Sequence, residues 1–216
     1  MVVGHRCRPG RCRSLWAAVP PQLRHGEGHQ APAVVEGLAA VARSFRIGDP
    51  FDPDTTMGRL VSDRQRQRVE GLVAKERAEG AQLVTGGGRP NGLDRGWFFE
   101  PTVLADVDNA MTVAREEIFG PVVRVIPYGT EDEAVALAND SDYGLGGSVW
   151  SADPDHAYAV ARRIETGSIG LNMWTLDPGS PFGGWKASGL GHEFGPEGLA
   201  AYQRVESVFV PSGSAR

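Results

Sequence analysis

The chain has 216 residues, 41% hydrophobic and 23% charged, enough for one large or two small globular domains with a core of their own. No apolar run approaches the ~20 residues that cross a bilayer, and the opening residues hold no apolar stretch of signal-peptide length, so no membrane partner is expected and the expected location is cytoplasmic. The formal charge of −5 argues against a general nucleic-acid binder, which carries a basic field.

Charge is unevenly spread. Within residues 1–33, Arg6, Arg8, Arg11, Arg13 and Arg24 stand against one acid, Glu27, a local +4 that leaves −9 for the rest of the chain. The same stretch holds both cysteines, Cys7 and Cys12, with His5, His25 and His29 nearby. This pair of thiols lacks a regularly spaced second pair, so no metal site is expected. The stretch shows no sustained period of two or of 3.6 and is expected to be a disordered segment, distinct from the rest of the chain.

Regular signals begin near Ala33. Val34, Leu38, Val41 or Ala42, and Phe45 recur at helical spacing, and Gly48-Asp49-Pro50 stops that helix. Ser62 and Gln65 have capping-box spacing and open a second helix with Val69, Leu72 and Val73 on one face, ended by Gly80. Leu83-Val84, Trp97-Phe98-Phe99 and Thr102-Val103-Leu104 read as short strands.

The stretch from Val122 is the clearest. Val122 to Tyr128 is an apolar, β-branched strand, and Thr130 with Glu133 caps a helix running to Asn139. Gly147 to Trp150 is a strand. Asp153 and Pro154 start another helix, with Ala157, Val160, Ala161 and Ile164 inward. Ile169 to Leu171 is a third strand. This alternation predicts an α/β fold, a parallel sheet flanked by helices, with ligands at the loops after Tyr128, Ser151 and Asn172. A structureless Gly/Pro-rich loop from Pro178 to Gly191, a short helix from Gly195 and a last strand from Val205 to Val210 complete the prediction.

Three segments carry candidate chemistry. In Glu116-Glu117-Ile118-Phe119-Gly120-Pro121 a carboxylate precedes a breaker at the sheet edge, where it can accept hydrogen bonds from ribose hydroxyls; solvated acids at a helix end are the plainer reading. In Ser180-Pro181-Phe182-Gly183-Gly184-Trp185-Lys186, glycines permit conformations closed to other residues and the aromatics suit a pocket wall or a packed turn. Gly189-Leu190-Gly191-His192-Glu193 has the wrong spacing for a dinucleotide fingerprint and no strand directly before it. Its His192 and Glu193 are acid–base candidates or a structural pair.

Together these segments resemble the aldehyde dehydrogenase superfamily. AREEIFGPVVRV at 114–125, NDSDYGLGGSVW at 139–150, GSIGLN at 167–172, SPFGGWKASGLGHEFGPEGLAAY at 180–202 and IGDPFDPDTTMGRLVS at 47–62 follow that family's order. The resemblance implies a partial aldehyde dehydrogenase catalytic domain. It implies that Glu117 binds the nicotinamide ribose with Phe119 packed beside it, that Phe182 and Asn172 line the substrate pocket, and that Glu193 relays a proton. The family reaction uses NAD or NADP and a small aldehyde: a Cys thiolate attacks the aldehyde, hydride passes to the nicotinamide, and water releases the carboxylic acid.

By the same resemblance, the last strand, Val208 to Val210, joins a sheet that pairs subunits, so a homo-oligomer or a full-length relative is an implied partner. The nucleophile would fall near Val19, where no cysteine stands; Cys12 lies earlier, among arginines. The expected organisation is therefore an unmatched segment over 1–33, the C-terminal part of the catalytic domain over 34–206, and a terminal strand and tail over 207–216. The expected chain lacks the nucleophile and the cofactor domain and is inactive alone, or serves as a non-catalytic remnant or oligomerisation partner.

Overall fold

Apolar β-branched runs and amphipathic helices sort the chain into a twisted sheet with a helix on each face, followed by a smaller α/β layer. The computed structural model describes residues 14–19, 30–111 and 116–212. Strand β1 (Ser14–Val19) is followed by helices α1 (Gln30–Ser44) and α2 (Asp63–Ala78) and strands β2 (Gln82–Thr85), β3 (Thr102–Ala105) and β4 (Val122–Pro127). These four strands form one sheet in the order β1-β4-β3-β2. β4 lies parallel to both β1 and β3, and β2 is antiparallel to β3.

The alternation of β4 decides which helix covers which face. Val125 points with Val103 toward α1, where Ala42, Leu38 and Val35 pack. Val122 and Ile126 point with Leu104 and Phe99 toward α2, where Val69 and Val73 are buried. Fully burying a side chain of this size contributes about 1.5–3 kcal/mol relative to leaving it in water. The α2 face therefore forms the larger core.

The second layer begins with α3 (Glu131–Asn139), then β5 (Tyr143–Gly144), β6 (Gly146–Val149), α4 (Pro154–Ala161) and β7 (Ser168–Leu171). β6 and β7 are parallel, and α3 and α4 bury Val135, Ala138 and Val160 over them, with Ile164 just beyond α4. The caps form where the sequence places them. Thr130 accepts from the Glu133 amide at 3.2 Å, and Asp153 accepts from Asp155 and His156 before Pro154. The strand-helix-strand-helix-strand expectation is corrected in one respect: β4 pairs with β1 and β3, while β6 and β7 form a separate pair.

The loop expected to be structureless holds β8 (Phe182–Gly183) and β9 (Trp185–Lys186), which pair antiparallel with β10 (His192–Glu193) and β5 respectively. Helix α5 (Gly195–Ala200) comes next. Two strand expectations fail. Trp97 to Phe99 is irregular, with Phe98 and Phe99 buried by packing rather than by a ladder. Val205 to Val210 forms no strand, and Val205, Val208, Phe209 and Val210 are exposed, because no neighbouring strand among the described residues completes a ladder.

The expected disordered segment contains β1, which pairs with β4 from Ser14↔Val122 to Val19↔Pro127, so backbone pairing to a strong strand prevails over a sequence without alternation. Cys7, Cys12, His5, His25 and His29, together with Ala114 and Arg115, lie outside the described residues. Among the described residues no helix is long and apolar enough to cross a membrane, and no three metal-binding side chains cluster.

Candidate active site

The segment before β4 is held by side chains rather than by a backbone ladder. Arg124 donates to the Glu116 carbonyl at 3.1 Å. Arg68 donates to the Glu117 carbonyl at 3.2 Å, and Gln65 donates to the carbonyls of Ile118 and Phe119 at 2.9 and 3.0 Å. Four consecutive carbonyls thus each have a side-chain donor, from α2 and β4. Arg68 also pairs with the Glu116 carboxylate at 2.9 Å.

This grip explains an odd local shape. Phe119 has a φ of 53°, a left-handed conformation disfavoured for a bulky residue, and the residue is 41% exposed. Ile118 beside it is fully buried and anchors the turn in the core. Gly120 is required by close approach, since a Cβ there would meet Val69 Cγ2 at 2.6 Å. Glu117 is half-buried between the Arg68 and Ile118 anchors.

The side chain of Gln65 departs from the capping-box expectation. Ser62 does cap α2, accepting from the Gln65 amide at 3.1 Å. The Gln65 side chain does not return to the cap but crosses to the 116–120 segment. Gln65, Arg68 and Arg124 were therefore missed by sequence reasoning as residues that shape the site.

Behind the segment lies a buried ion pair. Glu76 Oε1 is 3.3 Å from Arg124 Nη1, and both side chains are almost wholly inaccessible. Desolvation pushes the Glu76 carboxyl up to about 7, opposed by the Arg124 charge and reinforced by Glu79. Desolvation also lowers the Arg124 guanidinium, opposed by Glu76. Burial shifts both partners toward their neutral forms, as expected where mutual attraction does not fully offset lost hydration.

The remaining candidates are divided between the β8–β10 pair and the carboxyl end of β7. Phe182 is buried on β8 and stands opposite Glu193 on β10, while Gly183 stands opposite His192. Glu193 is exposed. Asn172 comes directly after β7, with a φ of 53°. Its carboxamide binds Ser151 on both sides, accepting from the Ser151 amide and donating to its carbonyl, each at 2.8 Å. Asn172 thereby ties together the carboxyl ends of β6 and β7. Tyr128, at the carboxyl end of β4, is buried, and desolvation pushes its hydroxyl up to about 12.

Lys186, on β9, ties its strand to the second layer. Its ammonium donates to the carbonyls of Asn139 and Ser141 at the end of α3, at 2.7 and 3.1 Å, and pairs with Glu165 at 2.7 Å. A cation at a helix carboxyl end satisfies carbonyls that lack intrahelical donors.

The chain matches the aldehyde dehydrogenase family over residues 27–208, and it belongs to that family. It is 48% identical over 199 residues to the geranial dehydrogenase of Castellaniella defragrans, covering 92% of this chain and 40% of that protein. It is 47% identical over 182 residues to the betaine aldehyde dehydrogenase of Brucella ovis, covering 83% of this chain and 37% of that one. An aldehyde dehydrogenase of Mycobacterium tuberculosis, solved with NAD+, superposes with a TM-score of 0.87 at 47% identity, covering 93% of this chain and 40% of that chain. An aldehyde dehydrogenase of Pseudomonas syringae, solved with NAD+ and octanal, gives 0.80 at 41% identity, covering 87% and 37%. The chain thus spans about 40% of the length of these relatives. The family match begins before the expected boundary at residue 33, and the 92% match reaches further into that stretch.

Proposed function

We propose that this chain supplies the nicotinamide-facing and aldehyde-facing walls of an NAD-dependent aldehyde dehydrogenase, acting in the cytoplasm on a small aldehyde, and that it does not turn over aldehyde by itself. The observation that carries this reading is the braced 116–119 segment. It sets a half-buried Glu117 beside a partly exposed Phe119, in a family with solved members that hold NAD+.

The residues present suit the ribose end of a dinucleotide. Glu117 accepts hydrogen bonds from vicinal hydroxyls, an arrangement charge strengthens. Phe119 gives a flat face against which a planar ring rests. When bound, the dinucleotide supplies the hydride acceptor for aldehyde oxidation. Phe182 excludes water from the carbonyl's side of the chamber, and Glu193, opposite it across β8–β10, relays a proton to or from solvent. Asn172 lines the pocket through its backbone and sets the ends of β6 and β7. NADP in place of NAD is compatible with all of these contacts, since none reaches a 2′-phosphate.

Covalent aldehyde chemistry requires an activated nucleophile within reach of the carbonyl carbon. The chain spans about 40% of the length of its relatives, and in this reading turnover draws on the remainder of such a protein. The test is turnover of a small aldehyde by the purified chain with NAD+ and with NADP+. No turnover above background is expected, and rates like those of a whole enzyme refute the dependence on a complement.

The exposed apolar side chains of Val205, Val208, Phe209 and Val210 favour a second reading. There the chain is a non-catalytic partner that docks its C-terminal segment on a second copy or on a full-length relative. Light scattering of the full chain against one carrying Val208→Lys and Val210→Lys separates the two: a mass that falls to one chain supports docking.

A further inference from the structure

Position 124 breaks the pattern of its own strand. β4 turns Val122, Arg124 and Ile126 toward α2, and Val122 and Ile126 belong to the main core there. An apolar residue is what that register demands. Position 76 breaks the pattern of α2 in the same way, since Val69, Val73 and Glu76 share its buried face. Two misfits on facing elements meet each other at 3.3 Å. Among the described residues, the Glu76 oxygens have no hydrogen-bond partner outside this ion pair. A pair of this kind is weak evidence for stability, because apolar replacements of similar volume are often neutral or stabilising.

The pair does, however, reach something a pair of apolar residues does not. The two terminal nitrogens of Arg124 point to different elements: Nη1 to Glu76 on α2, and Nη2 to the Glu116 carbonyl. A planar guanidinium fixes the angle between those directions, whereas an ammonium does not. We propose that Arg124, seated on Glu76, is a positioning residue that sets the backbone at Glu116 and thereby the presentation of Glu117 and Phe119. Gln65 and Arg68 hold the carbonyls of residues 117–119 from the outside, and Arg124 holds that of Glu116 from within the core. The inference rests on the reading of Glu117 and Phe119 as the dinucleotide contact.

The test uses the full chain with Glu76→Leu and Arg124→Met together, which removes both buried charges at once, so that neither is left unpaired, and takes away the donor to the Glu116 carbonyl. The double variant is expected to melt at or above the temperature of the parent. Its backbone order parameters at residues 116–118 are expected to fall from the rigid value of ~0.85 toward ~0.6, while those of α2 and β3 stay unchanged. The dissociation constant for NAD+ is expected to rise about tenfold, the loss of one charge-assisted contact. Arg124→Lys keeps a cation beside Glu76 without the fork and is expected to loosen the same residues in a folded chain, which decides the matter if the double variant does not fold. Unchanged order at 116–118 in a folded variant overturns the proposal, and so does lost order with unchanged NAD+ affinity. If the parent chain binds no NAD+, the cofactor reading of Glu117 and Phe119 fails, while the order parameters still decide whether Arg124 positions the segment.

Discussion

The Asn172 side chain closes a two-point hydrogen bond on the backbone of Ser151, at 2.8 Å on each arm, and so fixes the carboxyl ends of two parallel strands to each other. The same residue has a φ of 53°, which asparagine tolerates and alanine resists. Asn172→Ala should therefore lose both hydrogen bonds and strain the backbone, lowering stability by about 2–3 kcal/mol. Asn172→Gly should lose the bonds alone and fall between the two. Thermal melts of the three proteins check this order, and an alanine variant as stable as the parent contradicts it.

Glu76 gives the fold a pH dependence of definite sign. Its carboxyl is raised by burial from the ordinary 4.5 to about 7, against Arg124, which lowers it, and with Glu79, which raises it. The folded state then binds a proton that the unfolded state releases between those values, so this contribution is fully present below pH 4.5 and is lost as pH rises through 7. The full excursion is worth on the order of 3 kcal/mol. Glu76→Gln should flatten the dependence between about pH 5 and 8. Denaturant titrations at several pH values check it, and parallel curves for parent and variant rule it out.

Two glycines should respond to the same substitution with opposite signs. A Cβ on Gly167 would lie 1.9 Å from the Gly183 carbonyl oxygen, a backbone atom next to Phe182. Gly167→Ala should therefore force β7 and β8 apart and cost about 1–3 kcal/mol. Gly71 sits exposed in the middle of α2 with nothing within 4 Å of an added Cβ. Gly71→Ala should stabilise by about 0.5–1 kcal/mol through helix propensity and a stiffer unfolded chain. Equal shifts in melting temperature would contradict the packing account.

Where capping chemistry and hydrophobic period agreed, the fold was legible. Thr130 and Asp153 announced α3 and α4, and the β-branched run from Val122 announced β4. The failures are those of non-local pairing. Ser14 to Val19 has no alternation, yet joins the sheet through β4, and Val205 to Val210 has a strand's composition without a neighbouring strand among the described residues. The candidate site was half legible in the same sense. Glu117, Phe119 and Phe182 lie in motifs that stand out along the chain. Gln65, Arg68 and Arg124 do not, because their partners are carbonyls and carboxylates distant in sequence, and a side chain that reaches a remote carbonyl leaves no local pattern.

Whether this chain presents the nicotinamide-facing wall of a dehydrogenase site is tested most directly by saturation-transfer NMR of NAD+ with the full chain. Stronger transfer to the nicotinamide and its ribose than to the adenine is predicted, reduced by Glu117→Gln and by Phe119→Ala. Transfer to the adenine alone, or transfer unchanged in both variants, would contradict it.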